Sequence, residues 1–200
     1  MATRLPVVVR DATPDDAEAL VSLWRINAGA ARDKGSEVLS PHVMWREPDI
    51  EEAATAIKMR VDDPTRRLLV AAVDDEVIGM LSGFLGTLTP IHLTRVMIVT
   101  ELEVRPEWRR KLVASTLLSA AVHWAEEKNC DIVLTVSAAH SREPNRFLAK
   151  LGFGQVSTIR AAQVSMLRSR FASKATNSRD TGKLIAVRRT LRRRQIDSGI

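Results

Sequence analysis

The strand-to-helix junction around Pro106 constrains the fold of this chain more than any other feature. Residues 95–104 are a β-rich run, and Pro106 ends that run because proline cannot donate a hydrogen bond to a neighbouring strand. Residues 109–128 then carry apolar side chains at helical spacing, among them Val113 and Leu117, which form one broad stripe. The chain therefore has to bury a strand next to a long, heavily packed helix.

The rest of the chain alternates predicted strands and helices. Thr13 and Pro14 provide a helix start, and Asp49 begins a capping-box pattern before a second helix. Two β-rich runs on either side of Asp74 and Asp75 predict a hairpin. Besides the junction, the predicted elements are strand 7–10, helix 13–28, helix 49–61, strands 67–73 and 77–85, strand 132–136, helix 141–151 and two final strands, 155–160 and 163–167.

Size and composition fit one domain that needs no disulfide or structural metal ion. The chain has 200 residues, of which 45% are hydrophobic, enough for a core of ordinary size. Its one cysteine, Cys130, precludes an intramolecular disulfide and a multi-cysteine zinc site, and the four histidines lack the close spacing of metal ligands, so we expect no metal. Because we find no signal-peptide pattern and no apolar run of about 20 residues, we predict a cytoplasmic protein without a membrane span.

The positive charge of the chain is concentrated towards its C-terminal end. Residues 167–200 contain 10 of the 30 Lys and Arg residues but 2 of the 24 Asp and Glu residues, so their net charge is +8, against −2 for residues 1–166. Within this segment, 181–195 has apolar residues at helical spacing among arginines, which predicts an amphipathic basic helix. That helix could dock on the body, pack against a second subunit, or bind nucleic acid or anionic lipid. Docking is favoured over nucleic acid, because no aromatic residue is interleaved with the arginines.

The junction itself has the features of an anion-binding site. Where a buried strand meets the start of a long helix, unpaired backbone N–H groups and the positive end of the helix dipole point at one spot, as a pyrophosphate requires. Arg109, Arg110 and Lys111 add three consecutive basic side chains there. The alternative is a solvated basic helix start without a ligand, and the residues alone leave the two interpretations open.

Two acidic residues on the strand before the junction are candidates for a catalytic base. Glu101 and Glu103 alternate with Leu102 and Val104, so both carboxylates project to one face of a strand. Burying acids on a central strand is costly, which favours a functional role, although a wet face or pairing with arginines would also account for them. The pattern does not choose between Glu101 and Glu103.

The order of elements and two motifs resemble the GCN5-related N-acetyltransferase (GNAT) superfamily. The motifs are Val104 to Arg110 before the long helix and Phe147 to Phe153 after a later strand. The resemblance implies a single α/β (α+β) domain over 7–168, with a mixed, mostly antiparallel sheet of six to seven strands flanked by helices. Residues 169–200 would then form a basic linker and C-terminal helix.

The resemblance also implies the activity and the coenzyme. The family transfers an acetyl group from acetyl-CoA to a primary amine, and direct attack would use Glu101 or Glu103 as base. A homodimer is compatible with the resemblance. By the same resemblance, the coenzyme would contact Leu102, Val104, Arg109, Arg110, Lys111, Leu112, Val113, Ala114, Ser115 and Arg142.

Three positions depart from the family pattern. Leu112 stands where the phosphate loop usually has a glycine, so the loop should bend or bind the coenzyme more weakly. Leu148 stands where a tyrosine often protonates the departing thiolate, and Arg142 replaces an asparagine. Ser141, His140 or water could supply the missing proton.

The amine acceptor and the choice between activities stay open at this level. The family usually builds the acceptor pocket from the first two helices and their connection, which here contains Trp24, Asp33, Glu37, His42, Trp45 and Glu47. Acidic and aromatic groups suit a cationic amine. The alternatives to an enzyme are a GNAT-fold sensor of acyl-CoA, suggested by Leu112 and the absent tyrosine, and a nucleic-acid-binding protein acting through its tail.

Overall fold

A five-stranded sheet forms the centre of the structure, a computed structural model that describes residues 6–33, 46–137, 141–157 and 159–172. Its strands lie side by side in chain order, and each neighbouring pair is antiparallel except the last, which is parallel. The predicted mixed, mostly antiparallel sheet is therefore confirmed. The strands are β1 (Val8–Asp11), β2 (Arg66–Val73), β3 (Glu76–Thr87), β4 (Arg95–Val104) and β5 (Ile132–Thr135).

Four helices accompany the sheet: α1 (Ala17–Asp33), α2 (Ile50–Val61), α3 (Val113–Glu127) and α4 (Arg142–Lys150). Short 3-10 turns, Pro14–Asp16 and Pro106–Trp108, precede α1 and α3. The predicted start of α2 is confirmed, because the Asp49 carboxylate accepts a hydrogen bond from the Glu52 backbone N–H at 2.7 Å. None of the helices in the described ranges is both long and apolar enough to cross a membrane.

Alternation along the strands sorts apolar side chains into two cores, one on each side of the sheet. In β2, Leu69 and Ala71 belong to the core that α3 and α4 cover, whereas Leu68 and Val70 belong to the core that α1 and α2 cover. The hairpin between β2 and β3 turns through Asp74 and Asp75, both at positive φ (48° and 65°), the backbone that a two-residue hairpin turn requires.

A β-bulge in β4 changes which residues face which core. Ser82 of β3 pairs with Glu101, but the next residue, Gly83, pairs with Val99, so Thr100 is the extra residue. Its hydroxyl donates to the Ser82 carbonyl at 3.2 Å. Before the bulge, odd-numbered residues such as Val99 face the α3 core; after it, even-numbered residues do, Val104 being one. The bulge therefore turns the later odd-numbered residues to the opposite face.

The parallel pairing between β4 and β5 covers only half of β4. Val96 to Val99 pair with Ile132 to Thr135, and the backbone N–H of Val136 adds a last bond to the Val99 carbonyl at 3.1 Å. Within the described residues, no strand pairs with Thr100 to Val104 on that side. The sheet thus opens next to the second half of β4.

The two strands predicted after Gly152 are wrong. Residues 155–157 and 159–163 are not in strands, and residues 164–172 form a helix, α5, with Val164, Leu167 and Phe171 at helical spacing. The described sheet accordingly has five strands instead of six to seven. The alternation seen in 163–167 was too short to tell a strand from a helix turn.

By its internal contacts the chain divides into two units, Met1–Gly154 and Gln155–Ile200. The first unit contains the whole sheet and helices α1 to α4. The second contains α5, and the predicted basic helix at 181–195 lies outside the described residues. The domain boundary near residue 168 stays a prediction.

Candidate active site

The centre of the site is Glu103, a buried carboxylate on the open half of β4. Because of the bulge at Thr100, its side chain lies on the α1 face of the sheet and not in the apolar α3 core. Glu103 is 9% exposed, and its Oε2 accepts a hydrogen bond of 2.7 Å from Nδ2 of Asn27 in α1. A buried carboxylate costs several kcal/mol to desolvate unless groups like this amide meet it, on the order of the penalties known for buried charges.

Asn27 continues the network to the start of the loop before α3. Its Oδ1 accepts a hydrogen bond of 2.8 Å from Nη2 of Arg109, and Nε of Arg109 donates to the Val104 carbonyl at 3.4 Å. The direction of the amide follows from chemistry, because a guanidinium can only donate and an ionised carboxylate can only accept. The structure therefore joins Arg109, Asn27 and Glu103 in one row of side chains.

Glu101 shares the face of Glu103 but is less buried. It lies opposite Ser82, beside the bulge, and is partly exposed. Arg105, one of the arginines that could have paired with these acids, forms ion pairs with Glu76 and, at 4.0 Å, with Glu107. The structure brings Glu101 and Glu103 together on one face, as predicted from their spacing, and distinguishes them by burial.

The loop between β4 and α3 adopts a strained backbone. Arg110 and Leu112 both have positive φ, 64° and 68°, in the left-handed region that costs a non-glycine residue about 1–2 kcal/mol. Leu112 adopts the left-handed conformation that glycine reaches without strain, and the residue is 59% exposed. That Leu112 bends the loop or weakens coenzyme binding stays a prediction.

The three basic residues of the loop have different partners. Arg109 turns inward to Asn27, Arg110 forms an exposed ion pair with Glu143 at 3.2 Å, and Nζ of Lys111 lies 4.5 Å from the centre of the Trp108 ring. The sequence suggested three side chains reinforcing one spot. In the structure the three side chains contact three different groups. The feature of the loop that still points to one spot is therefore its backbone.

Backbone N–H groups at the start of α3 precede the first helical hydrogen bond. That bond runs from the Thr116 N–H to the Leu112 carbonyl, at 2.9 Å. Leu112 is the N-cap residue and makes no side-chain cap, so the N–H groups of Val113, Ala114 and Ser115 have no acceptor in their own helix. Together with the helix dipole, they form an electropositive corner next to the open half of β4.

The opposite side of the opening is formed by the end of β5 and the start of α4. Arg142, the first residue of α4, is exposed, and Ser141 occupies the N-cap position without a side-chain cap bond. Leu148, at the position of the family's tyrosine, is 8% exposed within the α3 core, and its side chain has no hydroxyl to donate to a thiolate. His140 lies outside the described residues.

Cys130 is a buried thiol that follows the C-terminal end of α3 and belongs to the same apolar core. Burial raises the pKa of the Cys130 thiol, and the nearby Asp131 raises it further while Arg95 lowers it. A thiol kept protonated is a weak nucleophile. Cys130 therefore acts as a small apolar residue of the α3 core.

The region predicted to receive the acceptor is described in part. A groove of about 550 Å³ lies between α1 and the start of α2, and its lining includes Arg25, Glu47 and Glu51. Arg25 donates to the Glu47 carboxylate at 2.6 Å and 2.9 Å. Trp24 is partly exposed on the neighbouring part of α1. Glu37, His42 and Trp45 lie outside the described residues, and nothing is described of the Asp33 side chain.

Asn27 is the site residue that sequence reasoning missed. It follows Leu20 and Leu23 at i+7 and i+4, so it lies on the buried stripe of α1, and it is 7% exposed. A polar residue on an otherwise apolar helix stripe needs a buried partner, and that was the available signal. The identity of the partner had no signal, because Glu103 is 76 positions away in the chain.

A family model described as the acetyltransferase (GNAT) family matches residues 35–153, more than half of the chain. The chain belongs to the GNAT family. The matched range includes β2 to β5, α2 to α4, and the loop from Arg109 to Leu112. The resemblance noted from two short motifs is thereby confirmed, while no curated protein sequence matches the chain.

Solved structures share the fold at low sequence identity. An aminoglycoside N-acetyltransferase in complex with CoA superposes with a TM-score of 0.63 at 14% identity, covering 82% of this chain and 97% of that one. A Trypanosoma brucei acetyltransferase gives 0.58 at 17%, covering 80% and 100%. A Bacillus halodurans protein described as a transcriptional regulator gives a TM-score of 0.64 at 20% identity, covering 79% of this chain and 99% of that one. At such identities the likeness extends to the fold alone.

Proposed function

We propose that this GNAT-family protein transfers an acetyl group from acetyl-CoA to a primary amine of a small molecule or protein. The observation that carries the proposal is the position of Glu103. It is a buried carboxylate on the half of β4 that β5 leaves open, linked through Asn27 to the start of the α3 loop. Membership of the family supports acetyl transfer, and the fold relative solved with CoA supports the coenzyme.

In this proposal the coenzyme lies in the opening between β4 and β5. The backbone N–H groups at the start of α3 would hold its diphosphate, because they lack helical acceptors and the helix dipole attracts negative charge. Arg142, exposed at the start of α4, would meet a phosphate from the other side. The proposed coenzyme contacts are Leu102, Val104, Arg109, Arg110, Lys111, Leu112, Val113, Ala114, Ser115 and Arg142.

The proposed reaction is a direct attack within a ternary complex. Glu103 takes a proton from the substrate ammonium, and the amine nitrogen then attacks the thioester carbonyl carbon. A C–N bond forms, the C–S bond breaks, the sulfur leaves as a thiolate, and the nitrogen loses its second proton to water to give the neutral amide. Leu148 cannot protonate that thiolate, so water, Ser141 or His140 does. We assign the base to Glu103 in preference to Glu101 because burial and the Asn27 bond fix its direction.

The acceptor is proposed to be cationic and to enter from the side of α1 and α2. The groove there carries Glu51, a carboxylate that suits an ammonium group, and Glu47, which is already paired with Arg25. Two of the fold relatives are aminoglycoside acetyltransferases, one solved with sisomicin, so aminoglycosides belong among the amines to test. A cytoplasmic location and a homodimer remain predictions from the sequence.

Coenzyme binding is the first test. We expect calorimetric titration with acetyl-CoA to give saturable one-site binding, and desulfo-CoA, which keeps the diphosphate, to bind comparably. The Ala114→Asp variant should weaken that binding strongly, because it adds a negative charge among the α3 N–H groups. A distant exposed variant, Glu126→Gln, is the control and should bind as the parent does. Absence of binding by the parent protein would remove the proposal.

Turnover is the second test. Thiol release from acetyl-CoA should be measured with a panel of amines: sisomicin, spermidine, a lysine-containing peptide and a peptide with a free N-terminus. At least one amine should be acetylated, and Glu103→Gln should abolish most of the rate while Glu101→Gln retains more of it. If coenzyme binds and no amine is acetylated, the protein is a sensor of acyl-CoA instead of an enzyme.

A further inference from the structure

The row of side chains from Arg109 to Glu103 has a role that the family assignment does not include. Four polar or charged residues are buried in the described part of the chain, and two of them, Asn27 and Glu103, are joined directly by a hydrogen bond of 2.7 Å. The other end of the Asn27 amide accepts from Arg109 at 2.8 Å. One side chain thus touches both the proposed base and the first residue of the proposed phosphate loop.

We infer that Asn27 is a positioning residue that couples the coenzyme loop to the catalytic base, and this inference rests on the proposed function. An amide suits both contacts at once, since its N–H group donates to a carboxylate and its oxygen accepts from a guanidinium. On one side it directs the Glu103 carboxylate. On the other it anchors Arg109, next to the strained residue Arg110, and so holds the loop in shape before the coenzyme arrives.

The two halves of this role can be separated by substitution. Asn27→Asp has nearly the same size and keeps an oxygen for Arg109, but it replaces the N–H group that faces Glu103 with a second carboxylate oxygen, which repels the Glu103 carboxylate. Asn27→Leu has nearly the same size and loses both contacts. The first variant therefore isolates the effect on the base, and the second adds the effect on the loop.

Calorimetry with CoA tests the half that concerns the loop. We expect Asn27→Asp to bind CoA within about two-fold of the parent, and Asn27→Leu to bind about five-fold more weakly, the cost of one lost hydrogen bond. Thermal unfolding of each variant serves as the control for folding. Equal affinity of the parent and a folded Asn27→Leu variant would overturn the coupling.

A double-mutant cycle on turnover tests the half that concerns the base. With the best amine of the panel, Asn27→Asp should lower kcat by about 10–100-fold, the range known for displaced catalytic groups, and leave the KM for acetyl-CoA nearly unchanged. In a Glu103→Gln background the same substitution should cost less than about two-fold, because Asn27 acts through Glu103. Independent, multiplicative losses would mean a merely structural residue and would overturn the inference.

Failure of the inference is distinguishable from failure of the proposed function. If Glu103→Gln is inactive and Asn27→Asp turns over like the parent, the base stands and the positioning role does not. If Glu103→Gln is fully active, or no amine is acetylated at all, the proposed base or function fails. The inference then depends on the CoA affinities of Asn27→Asp and Asn27→Leu, where equal values overturn it.

Discussion

Asp16 and Glu103 are the two carboxylates buried in the described part of the chain, and different kinds of groups hold them. Asp16, 6% exposed, accepts two hydrogen bonds of 2.7 Å from the Arg10 guanidinium and one of 2.8 Å from the Thr13 backbone N–H. The Arg10 hydrogen bonds, with help from Thr13, hold the pKa of Asp16 below its usual range, although burial opposes them. Glu103 accepts a hydrogen bond of 2.7 Å from the neutral amide of Asn27.

The difference separates a structural carboxylate from the one that we propose as the catalytic base. A bidentate guanidinium satisfies the charge and both oxygens of Asp16, which ties β1 to the start of α1. The Asn27 amide directs Glu103 without adding a positive charge of its own. Each of the following predictions tests one side of this comparison.

The largest expected effect is on turnover, at Glu103. Glu103→Gln should lower kcat by about 100-fold or more, equivalent to about 3 kcal/mol in the barrier, because an amide cannot take the proton. Its free energy of unfolding should stay within about 1 kcal/mol of the parent, since a glutamine can still pair with Asn27. Thiol-release kinetics and urea denaturation measure the two quantities. A variant that unfolds easily and turns over normally would reverse the assignment.

At Asp16 the opposite result is expected. Asp16→Asn should reduce the free energy of unfolding by about 2–3 kcal/mol, because it leaves the Arg10 guanidinium without its bidentate partner. The kcat of the remaining folded protein should equal that of the parent. Urea denaturation followed by circular dichroism gives the stability. The exposed variant Asp62→Asn, which breaks a surface ion pair with Lys58, is the control and should change little.

The pH dependence of stability should follow Asp16. Because its pKa is lower in the folded state than in the unfolded chain, Asp16 contributes stability that is complete above about pH 4 and is lost as the pH falls through the folded value. The difference in melting temperature between the parent and Asp16→Asn should therefore be largest near pH 6 and shrink towards pH 3. A difference that is constant with pH would show that the carboxylate does not act through its charge.

The smallest expected effect concerns the strained loop next to Glu103. Leu112→Gly should raise the free energy of unfolding by about 0.5–1 kcal/mol, because relief of the left-handed strain exceeds the entropy that glycine adds to the unfolded chain. It should also tighten acetyl-CoA binding. Leu112→Ala, which keeps the Cβ and hence the strain, is the matched control and should give neither gain. Weaker binding in Leu112→Gly would mean that the phosphate loop is misplaced.

Local patterns predicted most of the elements that build this site. The apolar stripe of α3, the Pro106 break and the Asp49 cap each depend on neighbours within a few residues, and the structure contains all three. The same spacing placed Glu101 and Glu103 on one face. Strand prediction failed in the two short runs after Gly152: the described residues of 155–160 form no strand, and most of 163–167 is helical.

What the sequence by itself determined is the order of helices and strands as far as Gly152, the strand-to-helix junction and the chemistry of its side chains. The tertiary structure alone decided the bulge at Thr100, which turns Glu103 away from the apolar core, and the contact between Glu103 and Asn27. The register of a strand is set by the strand that it pairs with. A hydrogen bond between residues 76 positions apart leaves no periodic pattern in the sequence from which it could be predicted. Propensity and spacing act over a few residues, whereas the direction of a buried carboxylate depends on which distant helix packs against its strand.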